Sequence, residues 1–256
     1  MIEGLKDKVA IVTGGGHGIG KAYCLAFAQA GARVVAADID GPAAEKVAAE
    51  ISGKTEGRSL AARVDVADEE STQQMAKTVL DRFGRIDILA NNAAIFATIP
   101  MNRGRIETID PAEWDRMMAV NLKGLFFCSR AVLPAMRAQK SGKIVNITSG
   151  TVFSGSLGRI HYVTSKAGVI GFTRTLAREV GDDNIQVNCI APGSTLSEEN
   201  PTEEIIRMRQ APVQTRTLKR LQKPDDLVGV MLFLASPLSD FMTGQTVSVD
   251  GGQNFL

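Results

Sequence analysis

The stretch near the start of the chain that decides the fold is Val9-Ala10-Ile11-Val12-Thr13-Gly14-Gly15-Gly16-His17-Gly18-Ile19-Gly20. A short apolar run leads into a glycine-rich turn, and a helical pattern opens at Gly18. Glycine at positions 14, 18 and 20 permits a tight turn and lets backbone N–H groups approach a pyrophosphate at the helix N-terminus. The turn therefore predicts a dinucleotide site. Its predicted cofactor-binding residues are Gly14, His17, Gly18, Ile19 and Gly20.

Short apolar runs alternate with longer amphipathic stretches over the rest of the chain. The runs are continuously apolar, which is typical of strands buried on both faces of a parallel sheet. The predicted strands are Lys8–Thr13, Arg33–Asp38, Ser59–Val64, Ile86–Asn91, Lys143–Thr148, Ile185–Ile190 and Thr246–Val249. The predicted helices are Gly18–Ala30, Pro42–Ile51, Glu69–Phe83, Pro111–Gln139, Ile160–Val180 and Asp225–Ser236.

This order predicts an α/β fold: one doubly wound, Rossmann-type parallel sheet of about seven strands with helices on both faces. We expect a single domain over residues 1–256, in which the polar segment 194–223 forms a substrate lid. Glu198, Glu199, Glu203 and Glu204 with Arg207 and Arg209 predict a solvated, amphipathic helix in that segment.

The composition excludes several classes of protein. Lys and Arg total 29 and Asp and Glu total 28, so the net charge of +1 gives no global attraction to nucleic acid or to an anionic membrane. No apolar stretch approaches the ~18 residues of a membrane span. Two histidines without metal-ligand spacing predict no metal site. Three widely separated cysteines fit a reducing cytoplasm.

Asp38 ends the second predicted strand. A carboxylate at that point accepts hydrogen bonds from the adenosine ribose hydroxyls of NAD and repels the 2′-phosphate of NADP. Arg33 and His17 are weak candidates for phosphate contacts, and a solvated loop aspartate is the alternative interpretation of Asp38. The cofactor predicted is NAD rather than NADP.

Tyr162 and Lys166 lie four residues apart in a predicted helix, so both can face one cleft. A nearby ammonium group stabilises a phenolate and lowers the tyrosine pKa. The pair therefore predicts a general acid/base that works near neutral pH. The alternative is an ordinary amphipathic helix with a half-buried tyrosine and a surface lysine.

The chain resembles, from end to end, the short-chain dehydrogenase/reductase family in its single-domain form. The matching motifs, in order, are Thr13-Gly14-x-x-x-Gly18-x-Gly20, Asp65-Val66, Asn91-Asn92-Ala93-Ala94, Asn121, Ser149, Tyr162-x-x-x-Lys166 and Pro192-Gly193. Ala94 and Ser197 depart from the glycine and threonine that are usual in the family.

The resemblance implies a role for each matching residue. Tyr162 would exchange a proton with the substrate oxygen, Ser149 would hold that oxygen, and Lys166 would lower the pKa of Tyr162 and bind the nicotinamide ribose. Asn121 would position a water molecule in a proton relay. The further cofactor contacts implied are Asp65 and Val66 at the adenine, Asn92 and Ala93 at the ribose region, and Pro192 and Gly193 at the nicotinamide. A homotetramer is also implied, with interfaces from the two long helices and the Gly244–Gly252 region.

These observations predict an NAD-dependent oxidoreductase acting on a small secondary alcohol or ketone. One alternative is an NADP-dependent 3-oxoacyl carrier-protein reductase, and another is a catalytically silent NAD-sensing protein. Phe96, Phe153 and Leu157 suggest a partly apolar substrate pocket, and His161 is expected to point away from it. A carboxylate-binding role for Arg207 or Arg209 stays open.

Overall fold

Seven strands form one parallel sheet in the computed structural model, which describes residues 3–53, 57–96, 99 and 101–255. Residues 1, 2, 54–56, 97, 98, 100 and 256 of the predicted domain lie outside these ranges. The strands are β1 (Val9–Thr13), β2 (Arg33–Asp38), β3 (Ser59–Arg63), β4 (Ile88–Asn91), β5 (Gly142–Ile147), β6 (Ile185–Pro192) and β7 (Thr246–Val249). Their order across the sheet is β3-β2-β1-β4-β5-β6-β7. The predicted doubly wound fold is therefore confirmed.

Neighbouring strand residues face opposite layers of helices, because side chains alternate across a pleated strand. In β1, Ala10 and Val12 pack in one layer, while Val9 and Ile11 pack in the other. Both layers are apolar, which explains why the strand sequences are continuously apolar.

The α-helices that the structure describes are α1 (Gly18–Gln29), α2 (Gly41–Ser52), α3 (Glu69–Phe83), α4 (Pro111–Met118), α5 (Gly124–Gln139), α6 (Thr151–Ser154), α7 (Ile160–Glu179), α8 (Glu203–Gln210) and α9 (Asp225–Ala235). Helices α1, α2 and α9 cover one face of the sheet, and α3, α5 and α7 cover the other. The carboxyl ends of the strands stay open between these layers.

The helix predicted over Pro111–Gln139 is wrong in one respect. A π-helical turn, Ala119–Lys123, separates α4 from α5. The backbone hydrogen bonds of a π-helical turn span one residue more than those of an α-helix. The turn therefore rotates α5 relative to α4. It brings Asn121 into the buried interior.

The predicted lid segment, 194–223, contains α8 and a short 3-10 turn. The prediction that α8 is solvated holds for Arg207, whose side chain is 72% exposed. It is wrong for Arg209, which is 6% exposed and pairs with the Glu198 carboxylate. The guanidinium of Arg209 also lies 4.8 Å from the centre of the Phe96 ring.

Candidate active site

A cleft of about 610 Å³ opens at the carboxyl edge of the sheet. Parallel α/β sheets bind ligands at this edge, where the strand order reverses. Apart from Asn121, all the predicted catalytic residues and the predicted cofactor contacts of the family motifs, of the glycine turn and at Asp38 line the cleft. These residues are Gly14, His17, Gly18, Ile19, Gly20, Asp38, Asp65, Val66, Asn92, Ala93, Ser149, Tyr162, Lys166, Pro192 and Gly193.

The glycine-rich turn is packed so closely that its glycines have no space for side chains. Gly14 and Gly18 have φ of +64° and +48°, in the left-handed region that favours glycine. A Cβ at Gly20 would lie 1.9 Å from the Gly14 carbonyl oxygen. The backbone of the turn can therefore approach a phosphate group closely.

Thr13 fixes this turn against the end of β4. Its hydroxyl accepts hydrogen bonds from the backbone N–H groups of Asn92 and Ala93, at 3.0 and 3.1 Å. The Asn92 amide also donates to the carbonyl oxygens of Thr13 and Gly14, at 3.0 and 3.2 Å. Asn92 and Ala93 thus hold the glycine turn in place in addition to lining the cleft.

Asp38 lies beside the turn as the sequence predicts. Its Oδ2 accepts from the Gly16 N–H at 2.9 Å and its Oδ1 from the Asp40 N–H at 3.0 Å. The His17 ring contacts the Asp40 carboxylate at 3.0 Å, and this contact holds the pKa of Asp40 below its usual range. Arg33 stands instead at the amino end of β2, over the Phe83 ring, so it is wrong as a candidate phosphate contact.

Tyr162 and Ser149 meet in the middle of the cleft. Burial raises the pKa of Tyr162, while the Ser149 side chain and the charges of Arg159 and Arg209 act in the opposite direction. The Thr151 hydroxyl lies 2.9 Å from Ser149 Oγ and orients it. The site thus holds a protonated phenol beside a hydroxyl, ready to hydrogen-bond a substrate oxygen.

Lys166 lies one helical turn beyond Tyr162 and is buried. Its ammonium donates to the Ile147 carbonyl oxygen at 2.9 Å, and burial lowers its pKa to about 8. The charges that lower the pKa of Tyr162 here are those of two arginines, whereas the sequence analysis assigned that effect to Lys166.

Asn121 lies behind the cleft, in the π-helical turn. Its Oδ1 accepts from the Ile95 N–H at 2.8 Å, and its amide donates to Ser165 Oγ at 3.2 Å. A cavity of about 10 Å³, close to the size that holds one water molecule, touches both Asn121 and Lys166.

Part of the predicted substrate pocket is wrong. Phe96 lines the cleft and stacks on Tyr162, with ring centroids 5.0 Å apart. Leu157 is fully exposed and Phe153 is also exposed, because their short loop and helix turn outward. His161 faces away from the cleft, 3.4 Å from the Glu113 carboxylate, as expected.

Arg103 and Arg159 are cleft residues that the sequence analysis missed. Arg159 immediately precedes α7, three positions before Tyr162. Residues three apart on a helix are neighbours, so this spacing was a usable signal. Arg103 had no such signal, because it lies far from the other site residues in the sequence.

A group of metal ligands and a membrane-spanning helix are both absent from the part of the chain that the structure describes. No three His, Cys, Asp or Glu side chains there are grouped so that they could hold a metal ion. No helix among the described residues has the length and apolarity needed to cross a membrane.

Comparison with known proteins gives matches over nearly the whole chain. The family model described as enoyl-(acyl carrier protein) reductase matches residues 14–254. A 3-oxoacyl-(acyl-carrier-protein) reductase of Synechocystis is 40% identical over 252 residues, covering 97% of each chain. The BbsD subunit of a hydroxy(phenyl)methylsuccinyl-CoA dehydrogenase of Thauera aromatica is 40% identical over 259 residues, covering 99% of each.

A solved structure is also similar. The crystal structure of a protein described as a short-chain alcohol dehydrogenase from Sinorhizobium meliloti superposes with a TM-score of 0.90 at 33% identity. The match covers 99% of this chain and 98% of that one. The sheet and its surrounding helices are therefore shared over the whole length.

Proposed function

Because the chain belongs to the short-chain dehydrogenase/reductase family, an oxidoreductase family, we propose that it interconverts a small secondary alcohol and its ketone with NAD. The observation that supports this proposal is that Ser149, Tyr162 and Lys166 share one cleft with the glycine turn and Asp38. A carbonyl substrate and a dinucleotide would then bind in the same cleft.

The residues present fit a nicotinamide dinucleotide. The turn at Gly14 and Gly20 admits close backbone approach, and the unpaired N–H groups at the start of α1 suit a pyrophosphate. Asp38 would hold the adenosine ribose, Asp65 and Val66 the adenine, and Pro192 and Gly193 the nicotinamide. When bound, the cofactor supplies the hydride acceptor for alcohol oxidation and the hydride donor for ketone reduction.

The proton moves through this chain's own residues. The Ser149 hydroxyl holds the substrate oxygen, and Tyr162 gives that oxygen a proton in reduction or takes one from it in oxidation. Lys166 would bind the nicotinamide ribose of the cofactor. The cavity of about 10 Å³ beside Lys166 and Asn121 has room for about one water molecule, which would hydrogen-bond to these two side chains.

NAD is favoured over NADP by the charges around the adenosine end of the cleft. Asp38 ends β2, and Asp40 stands beside it, with its N–H donating to Asp38 Oδ1. Two carboxylates at this position repel a 2′-phosphate. Arg33 is too far along the strand to compensate.

Reduction of a 3-oxoacyl carrier-protein thioester is the second candidate function. The Synechocystis relative carries that activity in its name. A panel of neutral ketones and 3-oxoacyl thioesters, each assayed with NADH and NADPH by nicotinamide absorbance, separates the two functions. Preferential turnover of the thioesters with NADPH would replace the first proposal with the second.

The substitution Tyr162→Phe tests the enzyme function against a cofactor-sensing role. We expect kcat to fall by about 10²- to 10⁴-fold, because the proton donor is lost, while NAD affinity stays unchanged. Tyr23→Phe is the matched control, since Tyr23 is a buried core residue whose hydroxyl has no hydrogen-bond partner among the described residues. Full turnover by Tyr162→Phe would sink the assignment of the acid/base.

The family further supports a homotetramer located in the cytoplasm, as the sequence analysis expects. Phe126 on α5 is 43% exposed beside an apolar groove that includes Leu133 and Phe172. Exposed apolar grooves on long helices are typical of subunit contacts. Cys24, Cys128 and Cys189 are free and buried, which fits a reducing compartment.

A further inference from the structure

Three arginine side chains line the substrate end of the cleft, next to Tyr162; we refer to Arg103, Arg159 and Arg209 as the arginine cluster. They come from three separate parts of the chain. Arg159 precedes α7, and Arg209 lies near the end of α8. The loop of Arg103 is joined to the loop before α7 by a hydrogen bond from Gly104 N–H to the Gly158 carbonyl oxygen, at 3.2 Å.

The positive charge of the arginine cluster is not balanced by the described residues. Arg209 pairs with Glu198. Arg159 donates to the Ser156 hydroxyl, and Arg103 lies against the Met208 sulfur, at 2.9 Å in each case. Neither has a carboxylate partner in the part of the chain that the structure describes.

The other acidic side chains of the cleft are engaged elsewhere. Asp38 accepts from the glycine turn, and Asp65 accepts from the Ala67 N–H at 2.9 Å. Glu199 lies 3.6 Å from the Lys21 ammonium. The arginine cluster is therefore a region of net positive charge.

Arg209 gives a second and independent indication of a ligand. It is 6% exposed, and its Nε has no hydrogen-bond partner among the described residues. Its guanidinium lies 4.8 Å from the centre of the Phe96 ring, which in turn packs on Tyr162. A buried charged donor without an acceptor is costly, and buried donors of this kind are rarely left unpaired.

The like charges also influence one another. Burial, together with the charges of Arg103 and Arg209, holds the pKa of Arg159 below its usual range, while Tyr162 acts in the opposite direction. An anion between these side chains would relieve the repulsion. Guanidinium groups bind carboxylate and phosphate oxygens through paired hydrogen bonds, so they suit this task.

Building on the proposed oxidoreductase function, we propose that the substrate is an anionic hydroxy or oxo compound whose carboxylate or phosphate binds the arginine cluster while its reacting oxygen binds Ser149 and Tyr162. The cofactor pyrophosphate is predicted to bind elsewhere. The groups that pack on Gly14 and Gly18 are Ala93, Asn92 and Ser197 rather than any arginine.

Paired substrates test the proposal on the whole protein. Secondary hydroxy acids of increasing chain length are each compared with their methyl ester, and hydroxyalkyl phosphates form a third arm, all with NAD and absorbance detection. We expect at least one anionic compound to exceed its neutral partner in kcat/KM by about tenfold or more. The acid and phosphate arms identify the anion. Equal or better turnover of the esters throughout would overturn the proposal.

Arg159→Gln tests the assigned side chain, with Arg207→Gln as the matched control. We expect Arg159→Gln to raise KM for the preferred anion by about 10- to 100-fold and to leave KM for neutral ketones unchanged, whereas any change in kcat through the pKa of Tyr162 is shared by both substrates. Arg207→Gln should change neither, because that side chain is exposed and faces Glu203. An unchanged KM for the anion in Arg159→Gln contradicts the proposal. Since Arg159 is only partly buried, this variant also avoids the folding risk of replacing Arg209.

Failure of this inference can be distinguished from failure of the proposed function. Calorimetry first measures binding of NAD and of NADP, and absence of binding of both would overturn the oxidoreductase proposal. If either cofactor binds and no compound is turned over, titration of the same acids, phosphates and esters into that cofactor complex decides the inference. Tighter binding of the anions, abolished in Arg159→Gln, supports it, and equal binding of the esters overturns it.

Discussion

The ammonium group of Lys166 is buried, and this burial makes the free energy of unfolding depend on pH. Its pKa is lowered to about 8 from an ordinary value of 10.5 because the charged form loses water. Between these two pH values the unfolded chain binds more protons than the folded chain. The contribution of Lys166 to the free energy of unfolding therefore rises with pH across that window.

We accordingly expect Lys166→Met to stabilise the protein below pH 8, by up to about 3 kcal/mol. The advantage over the unsubstituted protein should shrink as the pH approaches 10.5, where the buried lysine has lost its charge. Urea unfolding of both proteins at pH 7 and pH 10 measures the difference. A difference that stays constant or grows with pH contradicts the assigned pKa.

Asp38 is the residue on which the proposed preference for NAD depends. We expect Asp38→Ala to reduce the NAD-over-NADP ratio of kcat/KM by about tenfold, because both the ribose hydrogen bonds and the repulsion of the phosphate are lost. The ratio is the informative quantity, since Asp38 also holds the Gly16 N–H. Asp68→Ala, at the cap of α3 outside the cleft, is the control. An unchanged ratio would remove Asp38 from the cofactor assignment.

Single residues also show which structural features can be predicted from the sequence and which cannot. The spacing of Tyr162 and Lys166 predicts their shared face, because helical geometry is local. The burial of Arg209 has no local signal. It depends on Glu198, eleven residues earlier, and on Phe96, which comes from a distant part of the chain. A charged residue on a polar helix is ordinarily solvated.

Two glycines, one at a helix end and one inside a helix, form a matched pair. Gly84 ends α3 with φ of +74°, whereas Gly229 lies inside the exposed face of α9, and neither has an atom within 4 Å of an added Cβ. We expect Gly84→Ala to lower the free energy of unfolding by about 1 kcal/mol, through backbone strain alone. Gly229→Ala should raise it by up to about 1 kcal/mol. Chemical denaturation measures both, and effects of the same sign would contradict this reasoning.

The elements themselves follow closely from sequence. The predicted bounds of β2 and β7 agree with the structure, since apolar runs between polar turns define a buried strand. The π-helical turn at Ala119–Lys123 was not predicted, because its residue types do not differ from those of an ordinary helix. Only the packing of α4 and α5 on different neighbours reveals it.

For the whole molecule, the fold could be predicted from the sequence, whereas the number of subunits has to be measured. We expect the protein to sediment as a tetramer and Phe126→Glu on α5 to shift it to smaller species, because a charge would be buried at the contact. Ile106→Glu, which alters an exposed residue outside the long helices, is the control. Sedimentation velocity measures both. A monomeric unsubstituted protein would contradict the proposed assembly.

The overall topology was accessible because each βα unit is short and repeats the same pattern. The substrate end was less accessible, since it is assembled from the loop after β4, the start of α7 and the predicted lid segment. Loops that meet only in the folded chain leave no periodic signal in the sequence. This is why the proposed cofactor end could be predicted residue by residue, whereas Arg103 could not.

The alternation of side chains in β1 constrains how such a protein can be altered. Ala10 and Val12 belong to one helical layer and Val9 and Ile11 to the other, so inserting one residue would exchange the two sets and disrupt both layers. Variation in length is therefore confined to the loops at the sheet edges. An engineer seeking a new substrate would do best to exchange segment 194–223 as a cassette and leave every strand at its present length.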